Sequence, residues 1–249
     1  AIGYTAASSL TGNQSVAIGT EAMYSHTTGS KNIAIGYRAM YDTNDGANTL
    51  ASIDNIFIGY SSGGGTWVET DSNSDSNYNV AVGNNTMDAA MDGAESNVAV
   101  GFDALSALTT GDGNVGIGKA ALYYTNVGGN NTALGYQAMY TNVDSSSNTA
   151  IGARALWTHE PASALEGANT ALGMDAGYSV STGQKNTLIG YDAGDTIATG
   201  SENTIIGCAC DVSTEDNTNN VVIGNNLTAT DKDNAVFIGN DTSHIENDF

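Results

Sequence analysis

GNVGIGKAAL (113–122) admits two readings, and the choice between them decides the fold. Taken alone, it holds a glycine, four residues and then Gly118-Lys119, the spacing of a phosphate-cradling loop. Such a loop ends in Ser or Thr, whose hydroxyl holds magnesium; here Ala120 stands in that place. The rest of the chain decides for the second reading. VGIG (115–118) is one of fourteen copies of a short motif in which an aliphatic residue precedes glycine, among them VAIG (16–19), IAIG (33–36), TALG (132–135) and TIIG (204–207). Gly116 occupies a column held mostly by Ala, and Lys119 one that elsewhere reads Tyr, Phe, Asn or Thr. The stretch is a repeat unit, and its likeness to a nucleotide loop is accidental.

The anchor glycines are Gly3, Gly19, Gly36, Gly59, Gly83, Gly101, Gly118, Gly135, Gly152, Gly173, Gly190, Gly207, Gly224 and Gly239, most often 17 residues apart. A fixed period of this length is the cadence of a solenoid. The residue before each glycine is Ile, Val or Leu, and the residue three before it is Val, Ile or Thr, both strand choices. Alternation along a strand puts these two columns on one face and the intervening, mostly Ala, column on the other. Both faces are apolar, so both are expected to be covered. The Ala column becomes bulky at Phe57, Leu188, Ile205, Val222 and Phe237, which predicts that whatever packs against it stands farther away in the last third of the chain.

Four residues before the glycine stands Asn in eleven copies: Asn32, Asn55, Asn79, Asn97, Asn114, Asn131, Asn148, Asn169, Asn186, Asn203 and Asn220. Stacked strands would bring these amides above one another, bonded to each other and to the turn backbone. The glycine fits a bend where a Cβ would strike the neighbouring coil or where φ is positive. Helix is excluded by so many Gly and β-branched residues, and segments such as GYRAMY (36–41) read as a second short strand per coil.

The formal charge of −21, with 6 basic against 27 acidic residues, argues against nucleic acid and anionic lipid as partners. No apolar run approaches the roughly 18 residues of a membrane span, so no membrane insertion is expected. The first residues, AIGY, lack an initiator Met and fall inside a repeat unit, so the chain is expected to be a segment of a longer fibre and a single repeat domain over 1–249.

The units NIAIGYRAMY, NTALGYQAMYTN and NTAIGARALW resemble the repeats of trimeric autotransporter adhesin heads and the similar repeats of bacteriophage tail fibres. The resemblance runs from Ala1 to about Thr242. It implies an all-β, left-handed parallel β-solenoid of about fourteen coils, assembled as a homotrimer, whose role is structural reach and surface attachment with no catalytic residue. The unit here is longer than in the heads and carries three insertions, so loop detail does not transfer.

Those insertions, near 41–52, 61–78 and 158–167, are where function is expected, because solenoid insertions emerge as loops on one face. The second holds Trp67 and Tyr78 among carboxylates and amides, a composition suited to stacking and hydrogen-bonding a sugar ring; the alternative is that Trp67 packs the loop onto the rod. Asp71, Asn73 and Asp75 alternate as in a Ca2+ loop, but Ser76 and Val82 replace the Gly and bidentate Glu that such a loop needs, which leaves a looser divalent site. Tyr24, Tyr41, Tyr123, Tyr140, Trp157 and Tyr178, each five after a glycine, should form an aromatic ladder, read as packing. Cys208 and Cys210 read as buried thiols, or as a bond between chains, rather than as a metal pair; His26, His159 and His244 read as surface residues.

Together these predict an extracellular, non-enzymatic rod on a bacterial surface or virion, a homotrimer that presents loops to a cell-surface glycan or protein receptor. The competing readings are a glycan-degrading tail spike and a cation-dependent surface-layer protein.

Overall fold

The computed structural model describes residues 1–43, 51–67, 75–158, 167–230 and 232–248. They are all-β, with no helix among them, and form a β-solenoid in which each motif is a strand and each interval a turn of the coil. The chain divides into two compact units, Ala1–Asn130 and Asn131–Phe249.

In the first unit, β1 (Val16–Ile18), β2 (Ile33–Ile35), β3 (Ile56–Ile58), β4 (Val80–Val82), β5 (Val98–Val100) and β6 (Val115–Ile117) pair in parallel, each with the next. Register follows the motif: Ala17, Ala34, Phe57, Ala81, Ala99 and Gly116 lie opposite one another along the sheet. VGIG is thus a strand followed by turns, which removes the nucleotide-loop reading.

The second unit repeats the arrangement with β7 (Thr132–Leu134), β8 (Thr149–Ile151), β9 (Thr170–Leu172), β10 (Thr187–Ile189), β11 (Thr204–Cys208), β12 (Val221–Asn225) and β13 (Ala235–Asn240). Here β14 (Ser243–Asp248) turns back antiparallel along the free edge of β13, outside the repeat and outside what the motif foretells.

The anchor glycines other than Gly224 have a positive-φ backbone that only glycine adopts easily. Gly152 has φ +138°, and a Cβ there would stand 2.2 Å from the carbonyl oxygen of Gly173 on the next coil. Backbone cannot yield as a side chain can, so both conformation and space demand the missing Cβ.

The Asn column is buried and its amides are bonded as the sequence predicts. In the second unit Asn148 donates from its backbone N–H to Asn131 Oδ1 at 3.0 Å, Asn186 likewise to Asn169 at 2.9 Å, and Asn203 to Asn186 at 2.9 Å. Each amide nitrogen closes its own coil: Asn186 Nδ2 donates to the Gly200 carbonyl at 2.9 Å and Asn203 Nδ2 to that of Asn217 at 2.8 Å. In the first unit Asn55, Asn79, Asn97 and Asn114 are linked the same way. A buried amide left without such partners would cost about 1–3 kcal/mol, so the column both fixes the register and needs it.

Two expectations are corrected. Up to Gly190 the segment after the glycine is not a second strand: residues two and four beyond it take left-handed φ, as at Arg38 (55°) and Met40 (49°) or Gln137 (53°) and Met139 (49°), so the chain turns; in β11, β12 and β13 the strand runs on through the glycine. Nor does the bulkier strand column push its neighbours away. The volume is exchanged inside the coil. Behind most small strand residues the fourth position beyond the glycine carries a buried Met or Leu, such as Met23, Met40, Met139 or Leu156; behind Ala171 it is Gly177, beside which Leu188 of the next coil packs. Behind Phe57 and Leu188 that position is Gly63 and Gly194, where a Cβ would meet the Phe57 ring and Leu188 Cδ2, each at 2.6 Å.

Candidate functional site

Each strand points its middle residue into its own coil and its two flanking residues outward. The middle residues are sealed, whereas the outer aliphatic side chains stay partly open to solvent: Ile33, Ile35, Ile56 and Ile58 are intermediate, and Ile18 (36%), Leu134 and Leu172 (45% each) and Ile238 (46%) are exposed. The expectation that both faces are covered therefore holds for one: a single chain leaves the outer columns uncovered. In the first unit both outer columns are Val or Ile; in the second, Thr132, Thr149, Thr170, Thr187 and Thr204 share the face with Leu134, Ile151, Leu172 and Ile189.

The insertion loops deliver less than their composition promises. Trp67 is fully buried, edge-on to Phe57 with ring centroids 5.6 Å apart, and its backbone N–H donates to the Asp42 carbonyl at 2.8 Å. It therefore packs the insertion onto the coil and offers no ring face to a sugar. Tyr78 is half exposed. Asp71 and Asn73 lie outside the described residues; Asp75 accepts the Ala51 backbone N–H at 2.9 Å, a turn-capping contact. Among the described residues no group of three or more His, Cys, Asp or Glu side chains is placed to hold a metal ion.

His26 is buried, against expectation. Asn32 Nδ2 meets its Nε2 at 3.0 Å, and Nδ1 lies 2.7 Å from the Thr43 hydroxyl, so both ring nitrogens are satisfied inside the coil. Burial lowers its pKa from 6.5 to about 4, with a hydrogen bond to the Gly29 backbone opposing. His159 lies outside the described residues and His244 is exposed on β14. Cys210 is buried but Cys208 is exposed, so only one thiol is where the sequence places it; neither forms a disulfide.

The aromatic column does stack. Tyr24 lies on Tyr41 with centroids 5.4 Å apart, while Tyr140, Trp157 and Tyr178 form a nearly parallel pile with spacings of 5.6 and 5.2 Å. The column's next residue in the second unit is Asp195, so the pile ends at Tyr178. Beside it opens a pocket of about 260 Å³ lined by Arg154, Asp175, Tyr178, Asp192 and Asp195. Arg154 Nη2 bonds Asp175 Oδ2 at 2.5 Å and its guanidinium carbon lies 5.6 Å from the centre of the Tyr178 ring. The hydrogen bond and charge of Asp175 raise the Arg154 pKa further.

A neighbouring depression of about 440 Å³ shares Asp192 and Asp195 and adds Asp211. Asp211 is held up to about pKa 7, first by burial and then by a hydrogen bond with Asp195; its two oxygens also accept the N–H groups of Thr196 (2.9 Å) and Val212 (2.8 Å). The composition of the insertions drew attention away from these residues, yet a signal existed. Arg154, Asp175 and Asp192 each stand two beyond an anchor glycine, and side chains in one column meet when coils stack.

Comparison with protein-family models, with curated proteins and with solved structures finds no match.

Proposed function

We propose that the chain builds part of an extracellular, non-enzymatic fibre. Three copies associate through the outer strand columns, and the rod so formed attaches to a cell-surface glycan or protein receptor from a bacterial cell or a virion. The observation that carries this reading is the row of half-exposed aliphatic side chains on the outer strand face. A coil of 17 residues keeps one narrow column for its own core and relies on stacking and lateral contact for further burial. Long exposed apolar stripes are ordinarily interfaces. Charge supports the same face: the motif from the Asn column to the glycine contains no acidic residue in any copy, so three chains of charge −21 could meet there with their carboxylates held away. The resemblance of the repeat to adhesin-head and tail-fibre units points the same way. Among the described residues no helix is long and apolar enough to cross a membrane.

Hydrolysis of a bound glycan is the competing reading. It calls for two carboxyls about 5 Å or more apart across the scissile bond, whereas Asp195 and Asp211 are bonded to each other. Incubation with purified bacterial surface polysaccharides tests the choice. Adsorption without new reducing ends is expected; release of reducing ends would replace the fibre reading with the enzymatic one, and adsorption to none of them, nor to host-cell surfaces, would remove attachment.

A further inference from the structure

We propose that the pocket formed by Arg154, Asp175, Tyr178, Asp192 and Asp195 is a carbohydrate subsite for one pyranose ring, uncharged or amino-bearing. The inference rests on the attachment reading and moves it from the insertion loops to the coil surface of the second unit. Four features converge there. Tyr178 ends a pile of rings; Trp157 covers one side of it, and on the other the next coil carries Asp195, not a ring, at that offset. A pyranose presents an apolar C–H face to such a ring, and the rings beneath hold Tyr178 in place. The volume of about 260 Å³ lies just under the roughly 300–1,000 Å³ of ordinary ligand pockets, which suits a single ring.

The polar lining selects the ligand class. Asp175 is only 8% exposed; Arg154 occupies its Oδ2, but its buried Oδ1 has no hydrogen-bond partner. A buried carboxylate oxygen without a donor is costly, and an O–H or N–H brought in by a ligand relieves that cost. Asp192 and Asp195 add further acceptors at the same pocket, and Arg154 supplies donors. Since no described group of side chains is arranged to hold a metal ion, hydroxyl or ammonium hydrogens are the fitting complement. Three carboxylates against one guanidinium reject an acidic sugar by charge.

The test titrates the whole chain with methyl glucoside, methyl glucosaminide and methyl glucuronide, read by saturation-transfer NMR and by the fluorescence of Trp157. The first two are expected to bind saturably, and glucuronide at least tenfold more weakly. Tyr178→Ala should abolish binding, Tyr178→Phe should keep it, and Asp192→Ala with Asp195→Ala should weaken it tenfold or more, each with an unchanged far-ultraviolet spectrum. Tyr41→Ala, in the stacked pair with Tyr24, should leave binding unaltered. No saturable binding by any probe, equal binding by glucuronide, or full binding by the Asp192→Ala and Asp195→Ala variant would overturn the proposal. Polysaccharide adsorption separates the two readings. If the pocket variants adsorb as the parent chain does, attachment stands and the subsite falls; if the parent chain adsorbs to nothing, both fall.

Discussion

The coil around Gly116 and the coil around Leu188 solve one packing problem in opposite ways. In the first the strand contributes no side chain to the core, and Leu105 and Leu122 fill it from the turns. In the second the strand contributes a leucine and the turn withdraws to Gly194, with Gly177 of the preceding coil also against Leu188. Core volume is traded between strand and turn, within a coil and between neighbours: the coil of Ala171 is small in both places, and Leu188 of the next coil fills the space beside Gly177. A close-packed interior demands this, because neither a void nor an overlap is tolerated. Reading one column at a time therefore misleads, whereas reading the strand column together with the fourth position beyond the glycine does not.

What the two coils share should be hardest to change. Gly152→Ala places a Cβ on a backbone oxygen at a φ that L-residues avoid, and is expected to cost roughly 3 kcal/mol or more. Denaturant titration should register it in any coil; a cost below about 1 kcal/mol would mean that the anchor glycine is replaceable.

The exchange of volume is sharpened by a double-mutant cycle at Leu188 and Gly194. Leu188→Ala alone should cost about 2–5 kcal/mol, and Gly194→Ala about 2 kcal/mol through overpacking and its left-handed φ of +62°. Together they should cost less than their sum by about 1 kcal/mol, since the new methyl enters the space that the leucine leaves. Strict additivity would deny that strand and turn share one volume.

Individual coils also differ in interior polarity, and pH exposes it. Seven beyond their glycines His26, Thr43 and Asn142 are polar and buried, where Leu108, Val180 and Ile197 stand in other coils. A histidine depressed from 6.5 to about 4 takes up its proton in the unfolded chain first. Its contribution is thus complete above pH 6.5 and lost as the pH falls through about 4, a loss of roughly 3 kcal/mol. Asp211 has the opposite sign: raised from 3.8 to about 7, its stabilising proton is present at low pH and lost as the pH rises through 7. Melting curves of the parent, His26→Leu and Asp211→Asn across pH 4–8 should separate the two, with His26→Leu removing the acid-side loss and Asp211→Asn the slope near pH 7. Unchanged profiles would contradict both assignments.

The smallest effect is Gly116→Ala. Its φ is not positive, and the new Cβ would lie 3.3 Å from the Ala121 carbonyl oxygen and 3.4 Å from Leu105 Cγ, so a change within about 1 kcal/mol of zero is expected by urea titration. A large loss would mean that the coil has no slack at all.

The strands, their register, the amide ladder and the stacked aromatics were legible in the sequence because each is a column property that recurs from coil to coil. The pocket was not, because the column two beyond the glycine is mixed along the chain and only that shared offset places Arg154, Asp175 and Asp192 together. Trp67 takes the packing alternative that the sequence allowed, an insertion folding back onto the coil, whereas His26 misled, because a polar ring can be sealed inside once both nitrogens are bonded. Nor did the motif foretell β14, whose sequence SHIEND contains no anchor glycine.

Beneath both coils lies one proposed division of labour: the middle strand residue serves its own core, and the outer residues are proposed to serve another copy. Sedimentation equilibrium of the chain beside a Leu134→Glu, Leu172→Glu variant tests it most directly. The parent should have three times the 25.4 kDa of one chain, and the variant should fall to that of a single chain without losing its β spectrum. A parent of one-chain mass, or a variant that stays threefold, would contradict it.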